Sequence, residues 1–282
     1  MTLPDFIIIG AQKSGTTWLA WCLRQHPQLF LASDEIHFFD IDRHFSMGPD
    51  WYRKHFTDAK EGQVVGEKTP DYLWNNEKLE IEPKDIAARI HKTLPNAKLI
   101  IILRDPVTRA ISALNHQIRG GRISPFVPTR KIFLDSAKER WSEFGIMSRG
   151  YYRRQIENYY NYFDKSNIKI FFYEDDMIKN PASTLSESCD FLSVSSHRMP
   201  KVKKRRPNSG MNSKLGLIIN YYVPSSYYLI RPLDLLLPKK TPLQSDRRLM
   251  EDMYAHFQDE NERLFDLVGR RTDAWRPATG DH

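Results

Sequence analysis

Phe6-Ile7-Ile8-Ile9 is a short, unbroken apolar run, the pattern of a strand buried on both faces. Gly10 interrupts it and a loop of small and polar residues follows. Residues 16–25 then place Trp18, Leu19, Cys22 and Leu23 at helical spacing, with Pro27 beyond the end. The same grammar returns at Lys98 to Leu103, a second buried strand, after which Asp105 and Pro106 supply a cap and a first turn. The helix they start carries Ile111 and Leu114 inward. Residues 168–173 predict a third strand, 63–67 and 29–32 shorter ones, and 184–192 a helix after Pro181. Residues 246–268 predict a long helix with Leu249, Met253, Phe257, Leu264 and Leu267 as its apolar stripe. Parallel strands joined by helices imply an α/β fold, a doubly wound parallel sheet with ligands at the carboxyl ends of its strands.

No linker divides the chain, so a single domain over 1–282 is expected, with a core of about 3–275. Within it, 201–214 is a basic loop and 215–245 an insert rich in aromatics and leucine, broken by Pro224, Arg231 and Pro232. Burial as a helical cover is the simplest reading of that insert. Docking on another subunit or a membrane surface stays open.

With 40% apolar and 12% aromatic residues the chain can build a core, which excludes wholesale disorder. Its 42 Lys+Arg against 35 Asp+Glu leave a formal charge of +7, which favours anionic ligands. Two cysteines, Cys22 and Cys189, exclude a disulfide framework and a four-cysteine zinc site, and read as small buried hydrophobes. The nine histidines show no metal-ligand spacing, so no metal is expected. Residues 1–5 lack a basic n-region and no stretch reaches the ~18 apolar residues of a membrane span, so a cytoplasmic location is expected.

The sharpest chemistry lies in Gly10-Ala11-Gln12-Lys13-Ser14-Gly15-Thr16-Thr17, between the first strand and the first helix. Backbone N–H groups at a helix N-terminus, a lysine and hydroxyl donors make an anion site. The Gly10 to Gly15 spacing matches G-x-x-x-x-G, but Lys-Ser/Thr does not follow, and the lysine lies earlier in the loop. The arrangement is P-loop-like but suited to a different phosphate from that of a nucleoside-triphosphate enzyme.

The run KSGTTWL resembles the 5′-phosphosulfate loop of sulfotransferases that use PAPS, 3′-phosphoadenosine 5′-phosphosulfate. The run from Leu103 to Ser112, LRDPVTRAIS, resembles that family's 3′-phosphate motif. Asp34 to Asp40 (DEIHFFD), Gly66 to Tyr72 (GEKTPDY), GYYRRQ from Gly150 and LFDLVGRRTDAW near the C-terminus resemble the heparan sulfate (glucosaminyl) sulfotransferase-type branch. The likeness covers nearly the whole chain outside roughly 215–245. The chain lacks that branch's cysteine pair and its disulfide-bounded loop.

The resemblance implies transfer of a sulfuryl group from PAPS to a hydroxyl or amine by in-line displacement, with PAP as product. Glu35 is then the expected base and His37 its backup, on the same face if the segment is extended. Lys13 would meet the bridging oxygen or the 5′-phosphate, and Lys68 the acceptor and sulfuryl group. Lys13, Ser14, Gly15, Thr16, Thr17 and Trp18 would bind the 5′ end, and Arg104 and Ser112 the 3′-phosphate. Arg206 and Ser209 would close over the nucleotide. A sulfuryl group carries less charge than a terminal phosphoryl group, so lysines suffice without metal. The implied acceptor is a glycan, glycolipid or small alcohol, handled by a bacterial, cytoplasmic enzyme, with peripheral membrane contact left open. No nucleic-acid module is recognisable. The rival readings are a P-loop-type nucleotide kinase and a non-catalytic polyanion-binding protein.

Overall fold

The computed structural model describes residues 2–75, 79–134, 144–199, 213–223 and 247–276. In chain order its main elements are β1 (Phe6–Gly10), α1 (Thr16–Leu23), β2 (Leu29–Leu31), α2 (Asp42–Phe45), α3 (Gly48–Arg53), β3 (Val64–Lys68), α4 (Ile86–Thr93) and β4 (Lys98–Leu103). There follow α5 (Pro106–Arg119), α6 (Thr129–Leu134), α7 (Tyr152–Tyr160), β5 (Ile168–Phe172), α8 (Pro181–Phe191), α9 (Lys214–Tyr222) and α10 (Arg247–Val268). The described residues fall into two compact units. One comprises 2–75, 79–104, 152–199 and 264–274; the other comprises 105–134, 144–151, 213–223, 247–263 and 275–276.

The first unit holds the sheet, in the order β2-β3-β1-β4-β5, with every pair parallel. From β1 the chain fills one side of the sheet with β2 and β3, then crosses to build β4 and β5 on the other. The carboxyl ends of β1 and β4 therefore flank the point where strand order reverses, the usual ligand crevice of such sheets.

The composition of each strand follows from its place. Leu99, Ile100, Ile101, Ile102 and Leu103 are all fully buried, as central parallel strands require. On one face Phe6, Ile8, Ile100, Ile102 and Phe171 pack with Leu19, Cys22 and Leu23 of α1 and Leu185 and Cys189 of α8. Alternation along the strands sends Ile7, Leu99, Ile101 and Leu103 to the other face, where they are equally buried. Each such side chain contributes about 1.5–3 kcal/mol relative to exposure. Gly66 of β3 faces Phe6 so closely that a Cβ would stand 2.4 Å from the ring.

In the second unit the Asp105 side chain caps α5 by accepting from the Thr108 N–H at 2.6 Å, with Pro106 in the first turn. Val107, Ala110, Leu114 and Ile118 of α5 pack with Ile132 and Phe133 of α6, Leu217 of α9, and Leu249, Met253 and Phe257 of α10.

Several boundaries differ from the sequence expectation. α1 ends at Leu23, two residues early, because residues 24–26 tighten into turns before Pro27. β3 is shifted by one residue, which makes Lys68 its last residue and brings it to the carboxyl edge. Ile111 and Leu267 are only half-buried. The short helices α2 and α3 lacked a periodic signal. Of the insert, α9 buries Leu217 but leaves Leu215 and Tyr222 exposed; residues 224–245 lie outside the described ones. No helix among the described residues is long and apolar enough to cross a membrane.

Candidate active site

The loop after β1 is shaped by two left-handed backbone positions, Lys13 (φ +69°) and Gly15 (φ +92°). A Cβ on Gly15 would lie 2.8 Å from the Tyr173 ring, so both conformation and space require glycine. Gly15 is the N-cap of α1 and no side chain caps that end. The N–H groups of the first turn, Thr16 and Thr17 among them, thus have no acceptor from a preceding turn, and the positive end of the helix dipole adds to them. Thr16 is buried, Thr17 half-buried, and the half-buried Trp18 packs against the core below.

Arg104, the first residue past β4, ties the second strand end to this loop. Its Nη1 donates to the Lys13 carbonyl oxygen at 3.0 Å, and its guanidinium carbon lies 5.0 Å from the Tyr173 ring centre. The Tyr152 hydroxyl donates to the Arg104 carbonyl oxygen at 2.9 Å. Ser14 is fully buried, yet its Oγ makes no hydrogen bond, and neither do the buried Arg104 Nε and Gln12 Oε1. Leaving such atoms unpaired is costly unless a ligand completes them. The Ser14 hydroxyl with the helix-end amides, and separately the Arg104 guanidinium N–H, are donors that fit phosphate oxyanions.

The second half of the site is the segment 34–40. Ile36, Phe38 and Phe39 are buried, whereas Glu35 and His37 turn outward. The sequence predicts this pairing from an extended strand-like segment. The structure reaches it differently, with His37 at φ +53° and a turn beginning at Phe38. Lys13 and His37 are thus two of the three non-glycine residues with positive φ among those described. Such strain commonly gathers at functional sites.

Lys68 Nζ donates to Glu35 Oε1. His37 places Nδ1 2.8 Å from Asp40 Oδ2 and Nε2 3.7 Å from Glu35 Oε2. Burial alone would push the Glu35 carboxyl up, but hydrogen bonds from His37 and Lys68 and their charges bring it down to about 2. The hydrogen bond to Asp40, then that to Glu35, raises His37 to about 10 against the opposing effect of burial. At neutral pH Glu35 is therefore a carboxylate and His37 a cation. A protonated imidazole cannot accept a proton; in this state His37 has both ring N–H groups turned to carboxylates, Asp40 and Glu35. Glu35 keeps 36% of its side chain exposed.

The two halves adjoin. Gln12 of the loop donates to Asp71 at 3.4 Å, and Asp71, Glu35 and His37 bring ionisable atoms within 4.8 Å of one another. This trio could chelate a cation, but Lys68 and Asp40 already engage two of its members.

Beneath the segment lies Glu67, fully buried on β3. It accepts from the hydroxyls of Tyr52, Thr69 (2.9 Å) and Tyr72 (3.2 Å). Burial raises its carboxyl to about 7, with these hydrogen bonds opposing and the Asp40 charge adding to the rise.

Lys13, Ser14, Gly15, Thr16, Thr17, Glu35, His37, Lys68 and Arg104 all belong to the sheet unit. Ser112 lies half-buried on α5 in the other unit, and Arg206 and Ser209 fall outside the described residues. Asp40 and Asp71 lie within the DEIHFFD and GEKTPDY motifs, and the resemblance gives neither a catalytic role. Tyr173 carried one unused signal, its place as the last residue, at the carboxyl end, of a predicted strand.

The switch point of the parallel sheet thus brings together a loop of helix-end amides, a strand-end arginine and a lysine-bound carboxylate. Residues 3–210 match the family described as "Sulfotransferase domain", and the chain belongs to that family. Heparan sulfate glucosamine 3-O-sulfotransferase 5 of Mus musculus is 34% identical over 195 residues, 68% of this chain and 54% of its own length. The membrane-associated sulfotransferase kil1 of Dictyostelium discoideum is 41% identical over 123 residues, 42% of this chain and 24% of its own. The chain thus spans only about half the length, or less, of these curated relatives. A solved sulfotransferase from Alicyclobacillus acidocaldarius shares the fold, with a TM-score of 0.71 and 24% identity over 98% of this chain and all of that one.

Proposed function

We propose that the protein transfers a sulfuryl group from PAPS to an acceptor hydroxyl or amine, with a carbohydrate or glycolipid as the acceptor class. The observation that carries the reading is the Glu35 carboxylate, held by Lys68 and His37 beside an anion loop that Arg104 fastens to the neighbouring strand end. The glycan class draws support from the heparan sulfate 3-O-sulfotransferase relatives.

PAPS supplies an activated sulfuryl group on a 5′-phosphate, and loss of that group leaves PAP. The amides of Gly15, Thr16 and Thr17, the Ser14 hydroxyl and Lys13 hold the 5′-phosphate and stabilise the charge that grows on it. Arg104 binds the 3′-phosphate and so separates this nucleotide from ATP. Glu35 takes the acceptor proton as the new oxygen–sulfur or nitrogen–sulfur bond forms and the bond to the phosphate breaks.

A carboxyl at about 2 is a weak base while Lys68 rests on it. Binding of an anionic phosphosulfate draws the Lys68 ammonium toward itself. Glu35 then regains basicity when the donor is in place, which guards the site against idle proton transfer. The direct test is incubation with ³⁵S-labelled PAPS and a panel of glycans, glycolipids and small alcohols. Label should move to at least one carbohydrate-containing acceptor with release of PAP. Transfer only to small alcohols would overturn the acceptor class, and no transfer to any class would overturn the activity.

A further inference from the structure

Resting on the sulfuryl-transfer reading, we propose that Glu67 is a positioning residue that sets Glu35 and His37 from beneath, through Thr69 and Tyr72. The Thr69 hydroxyl donates to Glu67 Oε2 at 2.9 Å and accepts the Ile36 N–H at 3.2 Å. The Tyr72 hydroxyl donates to Glu67 Oε1 at 3.2 Å and accepts the Phe38 N–H at 2.8 Å. One buried carboxylate thereby orders two relays that grip the backbone at alternate residues. The residue between the two gripped amides is His37, and the one before the first is Glu35.

The grip is reinforced sideways. Tyr52, the third donor to Glu67, stacks on Phe38 with ring centres 4.5 Å apart and planes 7° from parallel. Phe39 meets Tyr72 edge-on at 5.3 Å. All five groups, Glu67, Tyr52, Thr69, Tyr72 and Phe38, are almost completely buried. Glu67 also precedes Lys68 on β3, so one strand supplies both the ammonium that meets Glu35 and the carboxylate that orders its segment.

The need for a carboxylate follows from acceptor capacity. Three hydroxyls donate to Glu67 at once, an arrangement suited to its ionised form, which has nothing to donate and prevails above about pH 7. Glutamine would offer one oxygen and place an NH₂ against hydroxyl groups already committed as acceptors to the Ile36 and Phe38 amides. The relays would then reorganise, and a displacement of about 1 Å at a reacting group costs on the order of 100-fold in rate.

The test compares Glu67→Gln and the milder Tyr72→Phe in wild-type and Glu35→Gln backgrounds, measuring turnover, PAP affinity and hydrogen exchange of the Ile36 and Phe38 amides. Glu67→Gln should lower kcat by about 10- to 100-fold with PAP affinity unchanged. Tyr72→Phe should lower it less and expose the Phe38 amide selectively. In the Glu35→Gln background neither change should cost anything further, because its effect passes through Glu35. Wild-type kcat in Glu67→Gln, the same fold-loss in the Glu35→Gln background, or unaltered exchange at Ile36 and Phe38 would each overturn the positioning role. Absence of PAPS turnover in the wild-type protein would overturn the sulfuryl-transfer reading instead, while amide exchange would still decide whether Glu67 orders the segment.

Discussion

Arg104 donates from Nη1 to the carbonyl oxygen of Lys13 at 3.0 Å, tying the end of β4 to the loop after β1 through two residues that are 91 apart in the chain. The contact fixes the left-handed Lys13 backbone and leaves the Arg104 Nε buried without a partner. A guanidinium can make that bond and still present a second donor; an ammonium cannot do so in the same plane. Arg104→Lys is therefore expected to weaken PAP binding by about 10- to 100-fold, the cost of a charge-assisted hydrogen bond. Calorimetric titration of both proteins with PAP measures it.

Glu35→Gln keeps the shape of the side chain and removes its basicity. Turnover is expected to fall by about 100- to 10,000-fold, the usual contribution of a general base. PAP affinity should hold within a factor of about two, since the anion loop is untouched. Initial rates and calorimetry on one preparation separate the two effects.

The pH dependence follows from the shifts. Glu35 sits at about 2 because His37 and Lys68 overcome the effect of burial, so kcat/KM should show no acid limb from Glu35 near neutrality. Lys68→Met removes one of those partners, and the acid limb should move to higher pH. His37 is raised to about 10 by Asp40 and Glu35. Its folded value lies above its unfolded one, so its stabilisation is complete below about 6.5 and is lost as pH rises through about 10. His37→Gln should therefore lower the Tm most at about pH 6 and least above about pH 10.

Gly15→Ala forces a Cβ onto a φ of +92° and against Tyr173. The strain alone costs about 1–2 kcal/mol. The variant should melt lower and bind PAP more weakly, both readable by thermal denaturation with and without PAP.

Cys22 and Cys189 are buried thiols in the core beneath α1 and α8. Burial pushes Cys22 up to about 12, and burial with the Asp190 charge also raises Cys189. A thiol reagent should modify neither in the folded protein and both after denaturation.

Much of this architecture was readable because local pattern and final environment agree. Leu99 to Leu103 is apolar throughout because β4 is buried there on both faces, and Asp105-Pro106 caps α5 as its chemistry suggests. The strand-to-helix loop after β1 was legible for the same reason: its Gly15 answers a local need of that turn. Glu67 was not legible. In sequence it is one acidic residue beside Lys68, and its work depends on Tyr52, Thr69 and Tyr72 arriving from separate segments. The short helices α2 and α3 were missed because they span too few turns to show a period. The geometry of His37 was missed because its positive φ is imposed by anchors on either side.

Calorimetry with PAP and with ATP tests the central claim, that two strand-end cation sites hold a nucleotide phosphorylated at both its 3′ and 5′ ends. The account predicts a saturable heat with PAP, and ATP binding far more weakly for want of the 3′-phosphate. Tight ATP binding with no heat from PAP would contradict it.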